Sequence, residues 1–172
     1  MLNEVIKNIF RFVIFVLIQV LLVKNLEIGR FFNPYVYVLF LIMLPFETSK
    51  LLLLGIGFVT GLSVDIFYHT LGLHAAASVL FCYCRPLVYK LFSPREGYEV
   101  GAEPTALYMG NGWFITAAGI LIFIHHLFLF YLEVFGFSEF FSTLLKSILS
   151  AITTVIFCLL IQYVVYKKKA NE

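Results

Sequence analysis

The chain contains a run of twenty residues, 113–132, without a single Asp, Glu, Lys or Arg. About 20 apolar residues in a helix are enough to cross the hydrocarbon core of a bilayer, which is roughly 30 Å thick. Inside a bilayer the backbone can satisfy its hydrogen bonds only in helices or in closed barrels. This run and the other apolar runs lack the alternation of apolar and polar residues that barrel strands show. The sequence therefore predicts helices that cross a membrane.

The composition excludes a water-soluble domain and a disordered chain. Hydrophobic residues make up 62% of the chain and charged residues 13%, whereas soluble domains carry about 25% charged residues. The 20 phenylalanines and 10 tyrosines are incompatible with a disordered chain. The net charge of +2 is small and dispersed, so we expect no nucleic-acid partner.

Polar residues divide the chain into six predicted membrane spans, which form one domain over residues 1–172. The predicted spans cover residues 9–23, 32–46, 51–68, 71–89, 113–132 and 141–166. The one sizeable polar stretch, residues 93–112, contains two prolines and four glycines and is predicted to be irregular. Two interpretations of this stretch stay open: a linker between two three-helix halves, or a docking surface for a partner.

The distribution of basic residues predicts that both termini face the cytoplasm, because cytoplasmic loops carry an excess of Lys and Arg. With that orientation nine basic residues fall on the inner side: Lys7, Arg11, Lys50, Arg85, Lys90, Arg95, Lys167, Lys168 and Lys169. Three fall on the outer side: Lys24, Arg30 and Lys146. We expect a multi-pass protein of the bacterial inner membrane, with the lipid bilayer as its surroundings.

No motif in the sequence indicates catalysis, a cofactor or a metal. The cysteines at positions 82, 84 and 158 have no disulfide or zinc spacing. His125 and His126 are adjacent, so they cannot easily bind one metal together. The second glycine of a G-x-S-x-G elbow is missing around Ser63, and phosphate-loop and H-E-x-x-H motifs are absent from the sequence. We expect the chain not to be an enzyme.

Small residues in the third and fourth predicted spans indicate a closely packed hairpin. Gly57, Gly61 and Asp65 follow one another at intervals of four, so they share one face of a helix. A G-x-x-x-G face allows another membrane helix to approach closely. The residues predicted to form the helix packing or a partner contact are Gly57, Gly61, Asp65, Gly72, His74, Ala75 and Ala76.

Asp65 lies inside an apolar run, where a carboxylate is costly and needs an explanation. One interpretation is structural: Asp65 caps the hairpin by accepting hydrogen bonds from Ser63, Thr70 or the backbone near Gly72. The others are functional: a proton or cation site, or a polar contact with a partner helix. His69 and His74 either pair with Asp65 or act as interfacial polar residues.

These residues resemble the signature of the MreD family of bacterial rod-shape-determining membrane proteins. The resemblance is carried by residues 61–67, GLSVDIF, and residues 71–75, LGLHA. Further stretches are similar to Bacteroidetes-type members: residues 32–35, 44–46 and 93–98, and the pair at 125–126. Many members carry proline just before the leucine-glycine, where this chain has Thr70. The resemblance covers nearly the whole chain.

The resemblance implies a non-enzymatic scaffold of the cell-elongation complex in the inner membrane. Such proteins partner the periplasmic coiled-coil protein MreC. Through it they act with a RodA-type glycosyltransferase and a class B penicillin-binding protein in peptidoglycan synthesis. The implied fold is similar to the S components of energy-coupling-factor transporters.

A second hypothesis follows from that similarity of fold, namely a small-molecule-binding subunit of a membrane transporter. Such a site would need polar and aromatic residues that converge near the outer face. Asp65, His69, His74 and residues 24–35 are the candidates. A third hypothesis, an intramembrane hydrolase acting through Ser63, has little support in the sequence.

Overall fold

The computed structural model describes residues 2–26, 29, 31–99, 101–135 and 139–170, with residues 3 and 166–170 described by backbone only. The described residues are helical or irregular and contain no strand, so the all-helical prediction is confirmed. Arg30 lies outside the described residues, and so do the side chains of Lys167, Lys168 and Lys169. The α-helices are α1 Leu2–Leu17, α2 Val38–Met43, α3 Lys50–Tyr68, α4 Leu73–Leu91, α5 Ala106–Met109, α6 Asn111–Trp113, α7 Gly119–Val134 and α8 Phe140–Ala170.

Four helical stretches are long and apolar enough to cross a membrane. They cover Glu4–Asn25, Lys50–Tyr68, Asn111–Val134 and Phe140–Val165. Two of them include π-helical turns, Ile18–Leu22 after α1 and Phe114–Ala118 before α7. Helix α4 is as long as α3 but less apolar, because it carries His74, Arg85 and Lys90. The main helix contacts join α3 to α4, α4 to α7, and α7 to α8.

The predicted second span, residues 32–46, is not a continuous helix. Only Val38–Met43 is α-helical, and six residues rise about 9 Å, far less than the bilayer thickness. Two prolines explain the short helix. Pro34 disfavours helical geometry at Asn33, and Pro45 follows Leu44, which is extended at ψ 144. We call residues 31–44 the central segment, because Val36–Leu39 are fully buried among the helices.

The non-helical part of the central segment is held by polar side chains of α8 and of the π turn after α1. The backbone N–H groups of Asn33 and Tyr35 donate to the hydroxyls of Ser150 and Thr154, both at 3.0 Å. The Val36 N–H donates to the Gln19 side-chain oxygen at 2.7 Å. These bonds replace the helical ones that Pro34 prevents, as buried backbone requires.

The other end of the central segment is held by Arg85 from α4. Its guanidinium donates to the carbonyl oxygens of Ile42 and Leu44 and lies 4.6 Å from the centre of the Tyr89 ring. Arg85 is only 2% exposed, although the sequence placed it at the inner membrane surface. The last carbonyls of a helix carry partial negative charge, so they offset part of the cost of burying this cation.

The inner face of α8 is a continuous polar stripe. Its members recur every three or four residues and are buried: Thr143, Ser147, Ser150, Thr154, Cys158 and Gln162. Small hydroxyl residues let helices approach closely and supply hydrogen bonds across the contact. The stripe is what allows α8 to hold the central segment.

Residues 93–99 and 101–110, which we call the strap, pack against the helix ends rather than extending away from them. The Tyr98 ring stacks on Phe46 at 3.9 Å between centroids, and its hydroxyl donates to the Tyr89 carbonyl. The Ala106 N–H donates to the Gln162 side chain at 2.8 Å. The strap therefore joins the ends of α4 and α8, whichever of its two sequence interpretations is correct.

Glu103 attaches the strap to α1. Its carboxylate accepts hydrogen bonds from Lys7 and, at 2.8 Å, from Arg11. Burial alone would raise the pKa of this carboxyl, but the hydrogen bonds from the two cations lower its pKa from 4.5 to about 2.

We predict that Glu103→Gln lowers the free energy of unfolding by about 1 kcal/mol at neutral pH. Because the folded pKa lies below the ordinary value, the contribution is complete above about pH 4.5 and is lost as the pH falls towards about 2. Unfolding in detergent, followed between these pH values, should therefore show a steeper loss for the wild type than for the variant. The control is Glu96→Gln, a change at an exposed strap residue. Equal pH dependence of wild type and Glu103→Gln would contradict the assignment.

We also predict that Thr154→Val destabilises the protein by about 1–3 kcal/mol, because it leaves the buried Tyr35 N–H without an acceptor. Thr153→Val is the matched control, since the Thr153 hydroxyl donates to the Leu149 carbonyl within α8. Denaturant unfolding in micelles measures both. Equal stability of the two variants would show that the central segment does not depend on this bond.

Candidate functional site

The turn between α3 and α4 is formed by four residues, two of them in left-handed conformation. His69 has φ 56 and Gly72 has φ 85. Glycine adopts such a conformation without steric cost, whereas His69 adopts it at the C-cap of α3. The turn reverses the chain tightly, so α4 packs back along α3.

Asp65 lies beside this turn and accepts hydrogen bonds from the start of α4. Its carboxylate accepts from the backbone N–H of His74 at 3.0 Å and of Ala75 at 2.9 Å. It also accepts from the Thr70 hydroxyl, and the His74 Nδ1 lies at 3.2 Å. The first N–H groups of a helix lack partners within the helix and carry partial positive charge, so a carboxylate stabilises them.

This geometry matches the capping interpretation of Asp65, with two differences in its partners. Ser63 donates to the Val59 carbonyl of its own helix instead. His69 is exposed, so His74 is the histidine that pairs with Asp65. Thr70, which stands where the similar family often has proline, contributes a hydroxyl to the cap.

Gly57 and Gly61 are the points where α3 lies directly against α4. A Cβ atom at Gly57 would lie 2.7 Å from the Cys82 sulfur and 2.9 Å from the Ser78 carbonyl oxygen. At Gly61 it would lie 2.5 Å from the Ala75 Cα and collide with the His74 backbone. Real Cβ atoms do not approach backbone so closely, so both positions require glycine at this helix separation.

The structure brings five of the seven predicted site residues into this one contact. Gly72 and Ala76 are separate from it. A Cβ at Gly72 would meet nothing within 4 Å, and Ala76 is exposed on α4. Both line an open groove on the outside of the hairpin.

A second group of polar residues lies in the protein interior beside the hairpin. We call it the polar core: Gln19, Tyr35, Tyr37, Tyr68, His74, Ser78, His125 and His126. The Tyr37 hydroxyl lies 2.7 Å from the His125 Nε2 and 3.3 Å from the Ser78 hydroxyl. Gln19 donates to the Tyr68 hydroxyl at 2.7 Å. The core thus joins the π turn after α1, the central segment, α3, α4 and α7.

The two adjacent histidines face different neighbours. His125 contacts Tyr37 in the central segment, whereas His126 lies 3.0 Å from the Thr154 hydroxyl on α8 and 2.8 Å from the Ile122 carbonyl. Two nitrogens of the polar core are buried without a hydrogen-bond partner among the described residues, His74 Nε2 and His125 Nδ1. Within the described ranges there is no cluster of three His, Cys, Asp or Glu residues that could hold a metal ion.

Tyrosine rings fill the space between the polar groups. The Tyr35 ring lies 5.1 Å from the His74 ring, 5.2 Å from the His126 ring and 6.0 Å from the His125 ring, between centroids. Edge-to-face and tilted contacts at these distances are favourable. The Tyr35 ring therefore restrains the three histidine rings and connects the central segment to α4 and α7.

Sequence analysis did not single out Tyr37, because its hydroxyl partners, His125 and Ser78, lie far away in the sequence. The Asn33-Pro34 pair was the available signal, since it predicts a break in the second span. Ser150 and Thr154 were also missed, although their spacing of four already placed them on one helix face.

Comparison of the chain with protein-family models, with curated proteins and with solved structures finds no match.

We predict that Gly61→Ala destabilises the protein by about 2–3 kcal/mol, because the added methyl group collides with backbone that cannot move aside without separating the helices. Gly55→Ala is the matched control: it is the same change in the same helix, at a site where a Cβ meets nothing within 4 Å. The control should be neutral or slightly stabilising, because alanine favours helix. Thermal unfolding in detergent measures both, and equal melting temperatures would refute the close α3–α4 contact.

Proposed function

We propose that this chain is a non-enzymatic scaffold of the bacterial cell-elongation complex, as its resemblance to the MreD family implies. The supporting observation is the structural role of the residues that carry the resemblance. Gly61 sets the separation of α3 and α4, and Asp65 caps the start of α4 through the backbone N–H groups of His74 and Ala75. Residues that carry the resemblance thus build a closely packed hairpin.

We propose six membrane crossings with both termini in the cytoplasm of an inner-membrane protein. Four crossings are the long apolar helices. The other two are α4, which is 19 residues long, and the central segment. Residues 31–34 reach up to about 13 Å if extended, and residues 35–43, which form turns and α2, rise about 14 Å, so the central segment comes close to the thickness of the hydrocarbon core.

The proposed partners are an MreC-like periplasmic coiled-coil protein and, through it, a RodA-type glycosyltransferase and a class B penicillin-binding protein. A scaffold needs a fixed shape that others can bind. The cap at Asp65, the glycine contact and the strap all restrain the helices relative to one another.

The alternative function is a small-molecule-binding subunit of a transporter, similar to an S component. The observation that favours it is the pair of unpartnered imidazole nitrogens in the polar core, on His74 and His125. Against it, the rings of Tyr35 and Tyr37 occupy the space next to these nitrogens. We therefore prefer the scaffold.

The two functions differ in the proteins that accompany the chain. A tagged copy should be purified from native membranes in mild detergent, with mass spectrometry of the proteins recovered. We expect the MreC-like protein and the wall synthases. Depletion of the chain should also convert rod-shaped cells to round ones.

Gly55→Ala is the folded control for the tagged copy, and Gly61→Leu should lose the partners together with its fold. Recovery of an ATPase module, or of a stoichiometric small molecule, in place of the wall-synthesis proteins would overturn the scaffold proposal in favour of transport.

A further inference from the structure

An apolar groove of about 850 Å³ runs along the outside of the α3–α4 hairpin. One wall consists of Leu54, Phe58 and Leu62 of α3, which together extend about 12 Å along the helix axis. The other wall belongs to α4, whose polar residues His74 and Arg85 are buried and do not line the groove. The groove therefore presents mainly apolar side chains to the surroundings of the hairpin.

Both walls of the groove continue towards the same end of the hairpin, and each ends in a lysine. Lys50 lies four residues before Leu54, the spacing that the groove residues of α3 keep among themselves. On α4, the groove residue Tyr83 is followed by Leu87, which is 63% exposed, and then by Lys90. Residues at intervals of three and four share one face of a helix. The two lysines therefore lie on the face of the hairpin that carries the groove.

The close contact between α3 and α4 places the two lysines at similar levels. Gly61 lies against the backbone of Ala75. Counted from this contact along two antiparallel helices, Lys50 is opposite residue 86. Lys90 lies four residues further along α4, a rise of about 6 Å. One anionic group at this end of the groove can therefore be near both lysines.

The two lysines have no carboxylate partner. Both are exposed, and neither forms an ion pair within the described part of the chain. Glu47 is the acidic residue nearest to Lys50 in the sequence, but its carboxylate accepts a hydrogen bond from the Gly101 N–H of the strap at 3.4 Å. Two neighbouring cations repel each other, so an anion between them stabilises the arrangement.

We propose that the groove and the two lysines together bind one anionic phospholipid of the inner leaflet. An acyl chain lies in the groove, and the phosphate lies at Lys50 and Lys90. The hydrocarbon of one leaflet is about 15 Å thick, close to the length of the α3 wall. Basic pockets between membrane helices on the cytoplasmic side bind anionic head groups.

The two cations favour a lipid over a protein as the occupant. A partner helix would cover the apolar walls, but it would not account for two unpaired lysines at one end of the groove. A phospholipid accounts for both features, because its apolar chain is joined to a charged phosphate. The inference rests on the proposed membrane placement, with this end of the hairpin at the cytoplasmic surface, and not on the scaffold function.

Native mass spectrometry of the full chain in detergent tests the head group. The probe is phosphatidylglycerol, and phosphatidylcholine with the same acyl chains is the comparison without net charge. We expect one phosphatidylglycerol per chain, bound at least about tenfold more tightly than phosphatidylcholine, as two basic residues near the head group imply. Equal affinity for the two lipids, or several lipids bound with no first site of higher affinity, would overturn the inference.

A double variant tests the two lysines. Lys50→Gln with Lys90→Gln should lower the affinity for phosphatidylglycerol about tenfold and leave that for phosphatidylcholine unchanged. The matched control, Lys24→Gln with Lys146→Gln, removes the same charge from residues outside the groove, and should stay within about twofold of wild type. If the two double variants bind phosphatidylglycerol equally well, the lysines do not hold the phosphate and the inference is wrong.

Quenching of tryptophan fluorescence tests the position of the acyl chain. Phe58→Trp places the fluorophore in the groove at a site that is 50% exposed, and Ile152→Trp places it on α8 at a site that is 53% exposed. Phosphatidylglycerol with brominated acyl chains should quench position 58 up to one lipid per chain, and position 152 only at higher ratios. Equal quenching at both positions would show general coating by lipid and would refute the site. These titrations need no partner protein, so their failure leaves the scaffold proposal standing.

Discussion

The fold depends on satisfying a stretch of non-helical backbone inside the helical bundle. Pro34 interrupts helical hydrogen bonding at the start of the central segment, and its buried N–H groups need partners within the protein. The partners therefore have to come from the surrounding side chains. Gln19, Ser150 and Thr154 supply them at one end, and Arg85 holds the carbonyls at the other. Gln19 belongs to the π turn after α1, Ser150 and Thr154 belong to α8, and Arg85 belongs to α4. The central segment therefore fixes where these helices lie.

The α3–α4 hairpin depends on a different combination of charge and size. The Asp65 carboxylate is buried at 2% exposure, but donors from the first turn of α4 surround it. Gly57 and Gly61 bring the two backbones together below that cap. The two helices are thus restrained at the turn and along their contact, and the strap holds the far end of α4.

Much of the architecture was predictable, because apolar run length and helical periodicity are local properties. Residues 51–68 and 113–132 were predicted from such runs and correspond to long apolar helices. The expectation that the second span is one continuous helix was wrong, because its hydropathy resembles that of a helix while Pro34 and Pro45 limit the α-helix to Val38–Met43. Local patterns could not predict the polar core, because its members are far apart in the sequence. Tyr37 and His125, for example, are in contact although 88 positions separate them. Arg85 was expected at the membrane surface because its carbonyl partners become visible only once α2 is known to end beside it.

Amide hydrogen exchange of the central segment, measured in lipid nanodiscs, tests the account most directly. If the interior is a closed scaffold, the amides of Asn33, Tyr35 and Val36 should exchange as slowly as those in the middle of α3, because each has a buried acceptor. If these three amides exchange as fast as those of exposed strap residues, the segment lines a water-filled cavity. That result would contradict an interior in which protein groups satisfy the backbone hydrogen bonds of the central segment, and it would favour a transport function.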